Sequence, residues 1–162
     1  MHRFSAIAAP GLEPIVAREL ADLGIRPSLQ AGAIDFDGEL SQVRIAAQLR
    51  CPSRLLLQLD QGPARSYEEL AARVRRVDWT PYLQPNADIQ VSVSSQRSKL
   101  RFKDAVEKKI RFAIQDALRK VRGPRRPRRE RGAEPIPQRI SARLVNDTLT
   151  LSIDACGELL HR

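Results

Sequence analysis

The chain has 162 residues, 42% of them hydrophobic, and a formal net charge of +9. That is enough apolar material for one domain of ordinary size or two small ones, and no apolar run approaches the roughly eighteen residues of a membrane-spanning helix. Cys51, Cys156, His2 and His161 are too few and too scattered for a disulfide framework, a metal site or a local catalytic triad, so a soluble, cytoplasmic protein with reduced thiols is expected.

Arg3 to Ala8 can form a short strand, and Pro10, Gly11 and Glu13 cut its apolar run short, unlike a secretory signal. Leu12, Ile15, Val16, Leu20 and Leu23 follow at helical spacing until Gly24, with Pro14 in the first turn, where its missing N–H costs nothing. Arg26 to Gln30 and Ala33 to Phe36 read as two strands around Gly32, and Glu39 to Leu49 as a second helix. Arg54 to Asp60 carries Leu55, Leu57 and Leu59 on one face, as a strand does. The order is βαββαβ, that of a ferredoxin-like unit.

After Gly62-Pro63, Ser66 and Glu69 offer a capping box for a helix buried through Leu70, Val74 and Val77. Trp79 to Leu83 forms a compact aromatic turn, and Ile89, Val91 and Val93 alternate with polar residues as a half-buried strand. From Asp104, the residues Val106, Ile110, Ala113, Ile114, Ala117 and Val121 give the strongest helical period in the chain. Two further strands, through Ile140 to Leu144 and Leu149 to Ile153, join at Asn146-Asp147, residue types that tolerate the positive φ of a tight hairpin. This second unit is αβαββ, so the expected class is α+β.

Charge is distributed unevenly. Between Arg97 and Arg131 fifteen basic residues face four acidic ones, a local +11, while the other 127 residues sum to −2. Such a basic patch attracts polyanions, and nucleic acid is the first partner to consider. In the loop ahead of the long helix, Arg97, Ser98, Lys99, Arg101 and Lys103 combine cations and a hydroxyl where a helix dipole would favour acids, which suits phosphate contacts. Phe102 is the one aromatic placed to stack on a base, whereas Phe112 is at least as suited to packing. Lys108, Arg111, Arg119 and Arg122 continue the charge along one helix face. Beyond it, the Pro/Arg stretch 122–137, with Arg125, Arg126, Arg128 and Arg129, reads as either a mobile RNA clamp or a solubilising insert. Asp35, Asp37 and Glu39 read as turn and cap residues, and no catalytic residue is assigned.

Three segments resemble the N-terminal half of THUMP-domain RNA guanine-N2 methyltransferases acting on 23S rRNA or tRNA. They are Ala9-Pro10-Gly11-Leu12-Glu13-Pro14 with Glu19-Leu20; Ser98-Lys99-Leu100 followed by Ala105-Val106-Glu107; and Leu151 to Arg162. The resemblance implies a ferredoxin-like part over 1–61, a THUMP domain over 62–156 that holds the insert 122–137, and the start of a linker at 157–162. In tRNA-acting relatives THUMP grips the acceptor stem and its single-stranded 3′ end, and Arg97, Ser98, Lys99 and Arg101 are the positions carried over as RNA-binding. Phe102 and Lys103 depart from the His and small hydroxyl residue that the family often has there, and the Arg/Pro insert is longer and more basic than the family leads one to expect.

The family's methyl transfer needs a Gly-rich first strand and an Asn/Asp-Pro-Pro-aromatic motif, which the sequence does not contain. The expectation is therefore an RNA-binding module that is no enzyme and holds no cofactor, with S-adenosylmethionine belonging to a catalytic domain elsewhere. It would position tRNA or rRNA for a methyltransferase domain or subunit, away from any membrane. The alternative is a stand-alone adaptor whose basic insert docks an acidic protein.

Overall fold

The computed structural model describes residues 2–30, 32–39, 49, 52–83, 88–120 and 137–155. The helix expected over Glu39 to Leu49 falls mainly outside them, as do Cys51, Cys156, His161, the linker 157–162 and residues 122–136 of the Arg/Pro insert. What is described is α+β, in two compact units: residues 1–59 with 152–162, and residues 60–151.

In the first unit, strand β1 (His2–Ile7) lies between β3 (Ala33–Gly38) and β4 (Arg54–Pro63), with β2 (Ser28–Gln30) outside β3; these three pairings are antiparallel. The register sets Phe4 opposite both Phe36 and Leu57. Strand alternation turns Phe4, Ala6, Ile34, Phe36, Leu55 and Leu57 inward. The rings of Phe4 and Phe36 stack with centroids 5.3 Å apart. Helix α1 (Glu13–Asp22) adds Val16, Ala17 and Leu20 to this core. Its start is held by the Glu13 carboxylate, which accepts the N–H groups of Gly11 at 2.6 Å and Gly32 at 3.2 Å. Its own N–H and those two glycine N–H groups hold the Glu13 carboxyl below its ordinary range. Gly24, at φ +76°, ends the helix in the left-handed conformation that favours glycine. The end of the chain returns to this unit: Asp154, its side chain 2% exposed, pairs with Arg54 at 2.8 Å, and the Ala155 N–H reaches the Leu55 carbonyl.

In the second unit, helix α2 (Tyr67–Arg76) begins at Ser66, whose hydroxyl accepts the Glu69 N–H at 3.2 Å. The capping box closes differently from the expected one, because the Glu69 carboxylate takes the Arg65 N–H at 2.7 Å. Val77 is half-buried, not part of the helix core, and Trp79 closes the C-terminal end instead: it is 2% exposed and donates to the Val74 carbonyl at 2.8 Å. Strands β5 (Ile89–Gln96) and β6 (Gln138–Val145) are parallel, from Ile89 opposite Gln138 to Gln96 opposite Val145. Between them runs helix α3 (Lys103–Lys120), the crossover that parallel strands require. Strand β7 (Thr148–Asp154) follows β6 through Asn146 and Asp147, at φ 50° and 59°, the conformation of a type I′ hairpin turn. α3 packs on both β5 and α2, burying Val106, Ile110, Ala113, Ile114 and Leu118.

Candidate nucleic-acid interface

Because β5 and β6 are parallel and in register to their ends, the loop leaving β5 and the turn leaving β6 emerge side by side. The Asn146 N–H donates to the Gln96 carbonyl at 3.1 Å, joining them at the base. The next residue, Arg97, takes φ 50°, uncommon for a side chain of that size. Beyond it the loop folds around one carboxylate. Asp147 accepts the Lys99 N–H at 2.7 Å and the Ser98 hydroxyl at 3.1 Å. Ser98 also accepts the Leu100 N–H at 3.4 Å, and the Ser95 hydroxyl donates to the Leu100 carbonyl at 2.8 Å. On its other side, Asp147 lends its main-chain carbonyl to the Ala64 N–H at 2.8 Å, which draws in the segment before α2.

The loop is thus fixed from beneath and charged above. Ser98 is buried, so its hydroxyl serves the loop and does not face solvent. Arg97, Lys99, Arg101, Phe102 and Lys103 are exposed, Phe102 at 76%. Ser95, Arg97, Ser98, Lys99, Arg101 and Asp147 line an open hollow of about 600 Å³. The Asp147 carboxyl is held below its ordinary range, first by the Lys99 N–H and then by the Ser98 hydroxyl and the charges of Lys99 and Arg65. It stays ionised with its Oδ1 accepting both hydrogen bonds, and three cations outnumber it around the hollow. Such a surface attracts an anion with several oxygens, such as a phosphodiester.

The remaining expected contacts are placed differently. Lys108 and Arg119 are exposed on α3, whereas Arg111 pairs with Glu107 at 2.7 Å one turn back. Phe112, expected to suit packing, is 61% exposed among Lys108, Gln115 and Arg119 on the same helix face. Arg125, Arg126, Arg128 and Arg129 lie outside the described residues. Two participants escaped the sequence reading. Asp147 looked like a turn residue only, and Arg65, which acts electrostatically on Asp147, lies outside the basic stretch.

Residues 3–56 match the RlmL ferredoxin-like domain. The chain is 34% identical over 161 residues to the ribosomal RNA large subunit methyltransferase K/L of Methylococcus capsulatus, a match covering 98% of this chain and 21% of that protein. It is 30% identical to the enzyme of the same name from Cellvibrio japonicus, over 100% of this chain and 21% of that one. The chain spans about a fifth of the length of these relatives. Among solved structures, a predicted N6-adenine-specific DNA methylase from Listeria monocytogenes has a TM-score of 0.79 at 29% identity, over 94% of this chain and 40% of that one. SMU.472, named a methyltransferase and solved in complex with SAH, has a TM-score of 0.76 at 28% identity, over 94% of this chain and 41% of that one.

These matches correct two expectations. The expectations that the chain is no enzyme and has no cofactor of its own are overturned on this finding alone: 98% of it aligns with a protein named a methyltransferase, of which it spans 21%, and a matched structure, of which it covers 41%, was solved in complex with SAH, which S-adenosylmethionine becomes on giving up its methyl group.

Proposed function

We propose that the protein works as an RNA methyltransferase and that the loop from Arg97 to Lys103 is its hold on structured tRNA or rRNA, where a helix meets a single-stranded end. The observation that carries this reading is the loop itself. Its backbone is pinned by Asp147, and Arg97, Lys99 and Arg101 project around one hollow. A preorganised cluster loses less freedom on meeting a phosphate than a solvated loop does, and cations at such a surface release counterions when they bind. The printed names of the relatives support RNA as the substrate class. The resemblance of the segments at 9–14, 98–107 and 151–162 to RNA guanine-N2 methyltransferases supports guanine N2 as the acceptor.

S-adenosylmethionine is the methyl donor that this reading implies. The hollow beside Arg97 does not fit it: a sulfonium cation gains nothing from three neighbouring cations and a carboxylate already engaged by Lys99 and Ser98. The donor is therefore not assigned to these side chains. RNA from cells lacking this protein is expected to lose an N2-methylguanosine present in the parent strain. An unchanged set of modified nucleosides overturns the reading.

A further inference from the structure

A second group of cations lies along α2, beside the segment that the Asp147 carbonyl holds. Pro63, Arg65, Glu69, Ala72, Arg73 and Arg76 line a hollow of about 310 Å³ along the outer face of α2. Its members have unequal freedom. Arg73 is tied to Asp60 at 2.6 Å and to the Pro63 carbonyl at 2.9 Å, so it serves as wall. Glu69 is engaged by the Arg65 N–H. Arg65 and Arg76 have exposed side chains. The two hollows have no lining residue in common, but Asp147 links them. Ala64, next to Arg65, donates to the Asp147 carbonyl, and the charge of Arg65 falls on the same carboxylate that holds Ser98 and Lys99.

We propose that the hollow between Arg65 and Arg76 is a second phosphodiester subsite, which takes another stretch of the RNA backbone held at Arg97, Lys99 and Arg101. Asp147 then has two duties: its carboxylate shapes the first subsite, and its carbonyl fixes the segment that carries Arg65. The proposal rests on the RNA reading above. It adds that RNA reaches across the hairpin turn onto α2, a surface outside the stretch where the sequence concentrates its charge.

The test is a fluorescence titration of the full chain with a tRNA minihelix bearing its 3′ overhang, repeated over a series of salt concentrations. Each phosphate contact contributes about 0.9 to the slope of log K against log salt on a duplex and about 0.7 on a single strand. The double variant Arg65→Ala with Arg76→Ala is expected to weaken binding and flatten that slope by about one to two units. The control, Arg18→Ala with Arg26→Ala, removes the same charge from exposed positions of the first unit and leaves the slope in place. Circular dichroism establishes that both variants keep their fold. An unchanged slope in the Arg65/Arg76 variant, or an equal change in the control, overturns the second subsite and leaves the loop reading standing. Polyglutamate binding as tightly as RNA, with the same sensitivity to Arg65 and Arg76, overturns it in favour of an acidic protein. Absence of salt-dependent RNA binding by the parent chain overturns both readings together.

Discussion

The carboxylate of Asp147 accepts the main-chain N–H of Lys99 at 2.7 Å, across 48 positions of sequence. This bond and the one from Ser98 hold the β5–α3 loop in place without using any of its exposed cations. Replacing Asp147 with Ala should therefore loosen the loop while leaving Arg97, Lys99 and Arg101 chemically intact. The expected result is a roughly tenfold loss of RNA affinity with an unchanged salt slope, because preorganisation is lost and phosphate contacts are not. A shallower slope would mean that phosphate contacts are lost together with the order of the loop, and a steeper one that the carboxylate had opposed the field of the cations.

The same bonds fix the pH behaviour. Since the folded-state carboxyl of Asp147 lies below its ordinary value of 3.8, its contribution to loop order is present above that value and is lost as pH falls through the lower folded value. Binding should not change through Asp147 between about pH 5 and 8. Carbon-detected NMR of the Asp147 carboxyl in the parent chain should show a midpoint below that in the unfolded chain. A midpoint above it contradicts the hydrogen-bond assignment.

Phe102, 76% exposed, is placed ahead of α3, and Phe112, 61% exposed, is on its outer face among Lys108, Gln115 and Arg119. Truncating either should change stability by no more than about 0.5 kcal/mol, as expected away from the core. Phe102→Ala should weaken RNA with a single-stranded end by about 1–3 kcal/mol if one base stacks there, and leave a blunt duplex unaffected. Phe112 lies ten residues along the helix, roughly 15 Å away, so its truncation should matter only for longer single-stranded ends. Parallel titrations with overhangs of increasing length measure both effects.

In the first unit, Asp154 and Arg54 form a pair whose carboxylate side chain is 2% exposed. Asp154→Ala removes a buried carboxylate and its charge-assisted bond to Arg54, whose side chain is 29% exposed, at a cost of about 2 kcal/mol. A chemical denaturation curve followed by circular dichroism should show this loss. A cost near zero would mean that the pair is as weak as a surface salt bridge.

Much of the architecture was legible because period and punctuation agree. Phe4 and Ala6 alternate, Val106, Ile110, Ala113 and Ile114 repeat at helical spacing, with buried Leu118 taking the place expected for Ala117, and Asn146-Asp147 marks the hairpin. The loop at Arg97 was legible as a cluster of cations, but its construction was not. Ser98 reads as a phosphate ligand because hydroxyls beside cations bind anions; only the parallel pairing of β5 with β6 brings Asp147 beneath it. Arg65 was invisible for the same reason, since its place beside the loop depends on the Ala64 hydrogen bond to a turn 83 residues away in sequence. Phe112 reads as core because aromatic residues on helices usually pack, yet it falls one position outside the buried stripe formed by Ile110, Ala113 and Ile114.

The most direct test of the account is the charge reversal Arg97→Glu, Lys99→Glu and Arg101→Glu, titrated against a tRNA minihelix with and without its 3′ overhang. The account predicts that the parent chain binds the overhang form more tightly and with a steep salt dependence, and that the triple variant loses this preference along with about two to three units of slope. Equal binding of both RNA forms at micromolar strength or weaker, unaltered by the three reversals, would contradict it.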